Sequence, residues 1–326
     1  MLNADLQYKR VILCAIFPLT LSACGGSGGD GGSAGISYTG ETAQASLTIN
    51  NGEEISTTAY QNGGSGQGLG TVLSSVNNPA PTAQKFRPAT SSVAKSLVGA
   101  INKIELSPNT AIGNRAIETV SDSIDGDCGG SANFTISAND VTGDFNGNFN
   151  FVNYCNLGDY MNGGMNFAGN INVNTLDFTS MTMTITSLTV TTGNDSFTMS
   201  GNMSLDPSDN PIAVTMNMKL KDNSTEQVFW SENFSLSIWD AISYEELTMQ
   251  GRFYHPDHGH VDITTPTAFR YTGSNIYPYP GVMVATGANN STTTLTSLST
   301  TSYQLDIDEN GDGNPEQTTT GNWSEL

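Results

Sequence analysis

The stretch that decides the fold is residues 180–220, which read SMTMTITSLTVTTGNDSFTMSGNMSLDPSDNPIAVTMNMKL. Apolar and polar residues alternate along it in three runs, which begin near Ser180, Phe197 and Ile212. Gly, Asn, Asp and Pro, the residues that favour turns, separate the runs. Alternation with a period of two is typical of antiparallel strands that bury one face and expose the other to water.

The same pattern continues on both sides of this stretch, from about Ser131 to the end of the chain. We expect about a dozen consecutive strands with no helical crossover between them, so that neighbours in sequence are neighbours in the sheet. The predicted fold is mainly β, a large antiparallel up-and-down meander over residues 111–326. Because open twisted sheets rarely grow this wide, it should curl into a barrel, a half-barrel or two packed sheets.

Residues 37–110 form an N-terminal segment with one or two short predicted helices. The first spans about Gly52–Gln61, with Asn50 or Asn51 as its cap and acidic residues in its first turn. The sequence GGSGQGLG at 63–70 then predicts a flexible break.

A second helix is predicted near Thr90–Ile104, since five apolar residues recur there at helical spacing and form one stripe. They are Val93, Leu97, Val98, Ile101 and Ile104.

The first residues predict a targeting segment. A basic pair, Lys9 and Arg10, precedes an apolar run, Val11–Leu21, that is too short to span a bilayer as a stable helix. The run ends in Leu-Ser-Ala-Cys at 21–24, which resembles the lipobox of bacterial lipoproteins. That resemblance implies a signal peptide over 1–23 and an acylated Cys24.

Residues 24–36 then predict the acylated cysteine followed by a flexible Gly/Ser tether. By resemblance to Gram-negative lipoproteins, Gly25 after the cysteine favours sorting to the outer membrane. We therefore expect a protein that is lipid-anchored in the outer membrane and faces either the periplasm or the cell surface. Several acyl chains bury enough methylene groups for stable anchoring.

Charge excludes one class of partner. The 326 residues include 11 Lys and Arg against 31 Asp and Glu, a net charge of −20. Nucleic-acid affinity comes largely from basic side chains that displace counterions from the phosphate backbone. The sequence therefore predicts no nucleic-acid partner.

Two cysteines, Cys128 and Cys155, remain after the discarded Cys14 and the acylated Cys24. Outside the cytoplasm such a pair usually forms a disulfide. A turn is predicted between them at Asn139–Gly143, and a hairpin folded there would bring the two cysteines face to face at its open end. The rival interpretation, two thiols that bind a metal, requires further ligands nearby.

All three histidines, His255, His258 and His260, lie in one short stretch together with Asp257. Imidazoles and a carboxylate at this spacing could form a Zn²⁺, Cu²⁺ or Ni²⁺ site. The same residues also read as an exposed turn between two strands. Alternation would place His258 and His260 on one side only if Gly259 remains extended.

A second candidate metal site lies in the acidic run near the C-terminus, DIDENGDGN at 306–314. Its spacing matches the first half of a Ca²⁺-binding loop, with Gly311 at the sharp turn. The predicted calcium ligands are Asp306, Asp308, Asn310 and Asp312. The twelfth position holds Gln317 instead of the usual Glu, and the alternative is an acidic Asn-Gly hairpin without an ion.

Nine of the eleven methionines lie between Met161 and Met249. Methionine is soft and polarisable, so an inward-facing set could line a site for a lipid or another apolar ligand. It could also bind a soft metal or simply fill the core. The spacing of the carboxylates singles out no catalytic pair.

Two stretches, Tyr38–Ala45 and Gly251–Pro266, together with Trp323, resemble the two ends of a group of uncharacterised proteobacterial outer-membrane lipoproteins. The resemblance implies an extracytoplasmic, mainly β protein and carries no activity with it. Three functions stay open. The first is a non-catalytic binding or structural module of the envelope, which binds a ligand or an envelope component and has calcium as its candidate cofactor. The others are a carrier of hydrophobic ligands and an envelope hydrolase that acts through carboxylates.

Overall fold

The segments in which apolar and polar residues alternate form a single antiparallel sheet of 15 strands. The computed structural model describes residues 35–74, 93, 95–97, 99 and 117–326, apart from 157, 176, 209, 242 and 274. The predicted signal peptide, Cys24 and most of the tether lie outside the described residues. The strands are β1 (Ile117–Asp125), β2 (Ser131–Asn139), β3 (Asp144–Asn156), β4 (Asp159–Ile171), β5 (Phe178–Thr192), β6 (Asp195–Asp206), β7 (Ile212–Asp222), β8 (Val228–Asp240), β9 (Tyr244–His255), β10 (Gly259–Thr267), β11 (Phe269–Thr272), β12 (Val282–Thr286), β13 (Thr292–Ser297), β14 (Ser302–Asp308) and β15 (Gln317–Asn322).

The strand order confirms the predicted meander. Strands β1 to β10 are neighbours in chain order, followed by β12 to β15, and β11 continues the pairing along β9. Among the described strands, β1 and β15 pair with one neighbour each, so the sheet is not closed into a barrel. Of the three predicted shapes, the closed barrel is therefore wrong, and the half-barrel or packed sheets fit.

Apolar side chains from β2 to β14 form one buried cluster on the face of the sheet that we call the inner face. Phe234, Leu236 and Met249 belong to it, and the opposite, more polar side is the outer face. Along β7 the strict alternation of the sequence becomes a strict alternation of buried and exposed residues.

The helix α1 (Gly52–Ser74) packs on the inner face, and short 3₁₀ turns occur at Ala288–Asn290 and Trp323–Glu325. Of the predicted second helix, residues 93, 95–97 and 99 are described and helical, and Val93 and Leu97 are buried. None of the helices in the described part of the chain has the length and hydropathy needed to cross a membrane.

The predicted flexible break at 63–70 is wrong, because α1 runs through it. A Cβ atom added at Gly63 would lie 2.1 Å from the Met249 sulfur, and one at Gly66 would lie 2.7 Å from Leu236 Cδ1. Glycine weakens an isolated helix by about 1 kcal/mol per residue relative to alanine. Here the missing side chains let the helix approach the sheet closely, and tertiary packing offsets that cost.

The chain reaches α1 by passing through the sheet, along residues 36–47, which we call the crossing segment. It starts on the outer face, where the Tyr38 ring packs against Trp230 and Tyr254. It ends at Leu47, which is fully buried in the inner cluster.

The gap through which the segment passes lies between β10 and the turn after β12. The Ala45 amide donates to the His260 carbonyl at 2.8 Å, and the Ala288 amide donates to the Ala45 carbonyl at 2.7 Å. Glycines line the gap on both sides, since a Cβ at Gly259 or Gly287 would lie 2.1 or 2.3 Å from a backbone oxygen of the segment. The passage is therefore too narrow for side chains at these two positions.

The predicted disulfide is confirmed. Cys128 and Cys155 are bonded, with their Cα atoms 5.1 Å apart, at the open end of the β2–β3 hairpin. The turn at Asn139–Gly143 is the predicted one, closed by a hydrogen bond from the Gly143 amide to the Asn139 carbonyl.

We predict that Gly259→Ala destabilises the protein by about 3 kcal/mol or more. The residue has φ +95°, where a side chain costs about 1–3 kcal/mol, and its Cβ would also overlap the Ala43 oxygen. Urea unfolding followed by circular dichroism measures the loss.

Gly158→Ala is the matched control, because Gly158 has φ +91° and no described atom within 4 Å of an added Cβ. Gly158→Ala should be destabilised only by the cost of placing a side chain at a positive φ. Equal losses in the two variants would show that the crossing segment is not tightly enclosed.

Candidate functional site

Three potential metal ligands converge where α1 begins. Glu54 lies in the first turn of α1, His255 ends β9, and His258 lies in the turn that leads to β10. Glu54 Oε1 is 3.3 Å from His255 Nε2, and Glu54 Oε2 is 3.3 Å from His258 Nε2. One ligand atom from each residue lies within 4.8 Å of the other two.

The three side chains differ in their exposure to solvent. The His255 side chain is 1% exposed, that of His258 27% and that of Glu54 53%. The two imidazole rings stack with their centroids 4.7 Å apart, and the Phe229 ring meets His255 edge-on. One side of the cluster is therefore fixed by packing, and the other is open to solvent.

Burial lowers the pKa of His255, and the neighbouring Glu54 carboxylate opposes this effect only in part. Burial therefore favours the neutral form of the His255 ring. Its Nδ1 accepts a 3.3 Å contact from the Asp257 amide, and its carbonyl accepts the Tyr38 hydroxyl at 3.1 Å. The crossing segment thus helps to hold the histidine in place.

The third predicted histidine lies elsewhere. His260 pairs in register with Tyr254, its ring packs on the Tyr254 ring, and its Nδ1 is 3.0 Å from the Thr42 carbonyl oxygen. The condition for placing His258 and His260 together was an extended Gly259, and its φ of +95° does not meet it. Asp257 also points away and accepts a hydrogen bond from Gln227 Nε2.

Sequence reasoning missed Glu54 as a member of this cluster. It identified the residue only as an acidic side chain that favours the helix N-terminus, and about 200 residues separate it from the histidines. No local pattern signals that contact, since it depends on the path of the crossing segment.

The acidic run is a tight loop between β14 and β15. The Asp308 carboxylate, 7% exposed, accepts the Gly311 and Gly313 amides, both at 2.7 Å. The Asn310 and Asp312 side chains each accept the amide two residues further on. Asp306 is not part of this arrangement, because its carboxylate accepts hydrogen bonds from Gln304 and Thr318 on the strands.

A further group of metal-type residues consists of Asp127, Cys128 and Cys155. Because the two cysteines form the disulfide, they offer no thiolate to a metal. The rival interpretation of the cysteine pair as a metal site is therefore wrong.

A shallow groove of about 500 Å³ crosses the outer face of β7 to β10. It lies where β9 changes partner from β10 to β11, and Thr265 Oγ1 bridges the gap by bonding the amide and carbonyl of Met249. Every residue that lines it is uncharged, and of these Leu236 and Met249 turn their side chains to the inner face: Ala213, Ser235, Leu236, Ser237, Thr248, Met249, Gln250, Thr264, Thr265 and Pro266.

One pair of carboxylates meets across strands on the inner face, at the end of β8 and the start of β9. Asp240 lies opposite Glu245, and burial together with the Glu245 charge raises the pKa of Asp240. Gln67 of α1 donates from Nε2 to Glu245.

Comparison with protein-family models, curated proteins and solved structures finds no match to this chain.

Proposed function

We propose that this protein is a lipid-anchored, non-catalytic module of the outer membrane that binds an uncharged, hydroxyl-rich ligand such as a saccharide chain. The observation that carries this proposal is the groove on the outer face of β7 to β10. Its lining offers hydroxyl and amide groups that donate and accept hydrogen bonds, with apolar surface beside them.

The chemistry of the groove supports binding rather than catalysis. General acid–base catalysis requires a titratable side chain within hydrogen-bond reach of the substrate, and the lining contains none. The net charge of −20 disfavours anionic ligands. A neutral saccharide suits a groove that has no titratable side chain and that lies on an acidic protein.

The two alternatives have weaker support. A carrier of hydrophobic molecules needs accessible apolar surface, but the strand methionines from Met161 to Met283 are only 0–7% exposed. Among the described residues, Asp240 and Glu245 are a candidate pair for a carboxylate hydrolase, and the raised pKa of Asp240 suits a general acid. However, the bond from Gln67 gives Glu245 a structural role in docking α1.

Native mass spectrometry against maltohexaose, cellohexaose, chitohexaose and an anionic hexagalacturonate tests the groove. We expect at least one neutral saccharide to bind and the anionic one not to bind. Thr248→Trp should weaken that binding by about tenfold or more, about 1.4 kcal/mol, because it fills the groove.

Thr182→Trp is the control, since Thr182 is an exposed strand residue that does not line the groove. Absence of binding to every neutral saccharide, or unchanged binding by Thr248→Trp, would contradict the proposal.

The anchor is proposed at Cys24. Gly35 and Ile36 lie against β6 on the outer face, where the Ile36 amide donates to Ser200 Oγ at 3.0 Å. Eleven residue steps from Cys24, at about 3.5 Å each, span at most about 40 Å. The outer face beside β6 would thus lie within about 40 Å of the lipid surface.

Expression with a radiolabelled fatty acid tests the anchor. The wild-type protein should carry label and sediment with membranes, whereas Cys24→Ser should be unlabelled and released by high salt. A Cys128→Ser, Cys155→Ser double variant, which retains the anchor residue, should still sediment. If the Cys24→Ser variant is labelled or stays bound to membranes, Cys24 is not the anchor.

We propose that the acidic loop binds calcium. The first ligand in this proposal is Asp308, two residues later than Asp306, which the sequence pattern predicted. Asp308, Asn310 and Asp312 take positions 1, 3 and 5, Gly313 the turn at position 6 and Glu316 position 9. In agreement, Glu316 closes the loop by accepting the Glu309 amide at 2.6 Å.

Millimolar Ca²⁺, but not Mg²⁺, should raise the melting temperature of the protein, since extracellular calcium modules bind with dissociation constants of about 10⁻⁴–10⁻³ M. Asp312→Asn should abolish the increase, and Asp306→Asn should retain it. If both variants respond like the wild type, the loop does not bind calcium.

A further inference from the structure

We propose that Glu54, His255 and His258 bind one Zn²⁺ ion, which fastens the first turn of α1 to the β9–β10 hairpin. The inference goes beyond the proposed saccharide binding. The cluster lies at the helix N-terminus, whereas the groove opens on the outer face, so each site can exist without the other.

The distances favour a metal over a direct ion pair. Charge-assisted hydrogen bonds between nitrogen and a carboxylate oxygen are typically about 2.7–2.9 Å long. Both carboxylate–imidazole distances here are 3.3 Å, one from each oxygen of the Glu54 carboxylate. Ligand atoms at the corners of a tetrahedron around zinc, with bonds of about 2.0–2.1 Å, lie about 3.4 Å apart.

The ligand set and its exposure also fit zinc. Two imidazoles and one carboxylate are a ligand set of zinc sites that keep a fourth position for water. The buried His255 and the partly exposed His258 and Glu54 leave that position on the solvent side. The acidic chain adds a field that attracts cations.

The surroundings of His255 hold its ring in one orientation, and zinc binding requires the other tautomer of that ring. Phe229 packs against the ring, and the Tyr38 hydroxyl holds the backbone at its carbonyl. To bind zinc through Nε2, the neutral ring must carry its proton on Nδ1. The Asp257 amide, now 3.3 Å from Nδ1, must then turn away, so zinc should change the hairpin turn itself.

The test uses the full chain, stripped with EDTA and titrated with ZnCl₂ against a chromophoric chelator. We expect one ion per chain and a rise in melting temperature. Cobalt should give the intense visible absorption of a four-coordinate site, and zinc should displace it. Zinc should also shift the Asp257 amide resonance.

Glu54→Gln and His258→Asn remove the two exposed ligands, so both variants should fold. Each should lose at least about tenfold in zinc affinity, since even outer-shell changes cost that much. In EDTA their melting temperatures should stay close to that of the wild type.

His260→Asn and Asp312→Asn are controls, because they change the remaining histidine and the acidic loop. Both should retain the wild-type zinc affinity. The proposal fails if the wild type holds no more zinc than the Glu54→Gln, His258→Asn double variant. It also fails if either control loses zinc equally, and neither result bears on saccharide binding.

Discussion

The close approach of α1 to the inner face of the sheet is the contact on which the rest of the structure depends. Glycines along one side of the helix remove the side chains that would hold it away from Leu236 and Met249. Because α1 lies on the inner face and the chain before it lies on the outer face, the polypeptide changes sides, and it does so by passing through the sheet between β10 and the turn after β12. That passage needs Gly259 and Gly287 beside it, and it sets Glu54 next to the end of β9.

The sequence was sufficient for features that depend on local periodicity. Alternation along residues 180–220 predicted strands, and the absence of helical crossovers predicted that neighbours would pair. The disulfide between Cys128 and Cys155 was predicted because a hairpin with two arms of equal length, folded at one turn, brings the two cysteines together. Closure of the sheet could not be predicted in this way, because it depends on accumulated twist and on the space taken by α1.

Where the role of a residue depends on a contact with a distant part of the chain, the prediction from sequence was wrong or the residue was missed. A glycine-rich run such as 63–70 is flexible in isolation, and only the sheet beneath it explains why it is helical. For the candidate metal cluster, two histidines were identified, while Glu54 was missed and His260 was wrongly grouped with them. The first error arises because the crossing segment delivers Glu54 from a distant part of the chain, and the second because the β9–β10 turn is followed by Gly259 at φ +95°, which turns His260 away.

The crossing segment also relates the proposed anchor to the proposed binding groove. The segment lies on the outer face before it enters the sheet, and the groove opens on that same face. An acyl chain at Cys24 would therefore hold the protein from the side that carries the groove. The hydrogen bonds to His260 and Ala288 hold the segment in the gap, so a membrane tether that preceded the segment would pull on the sheet directly.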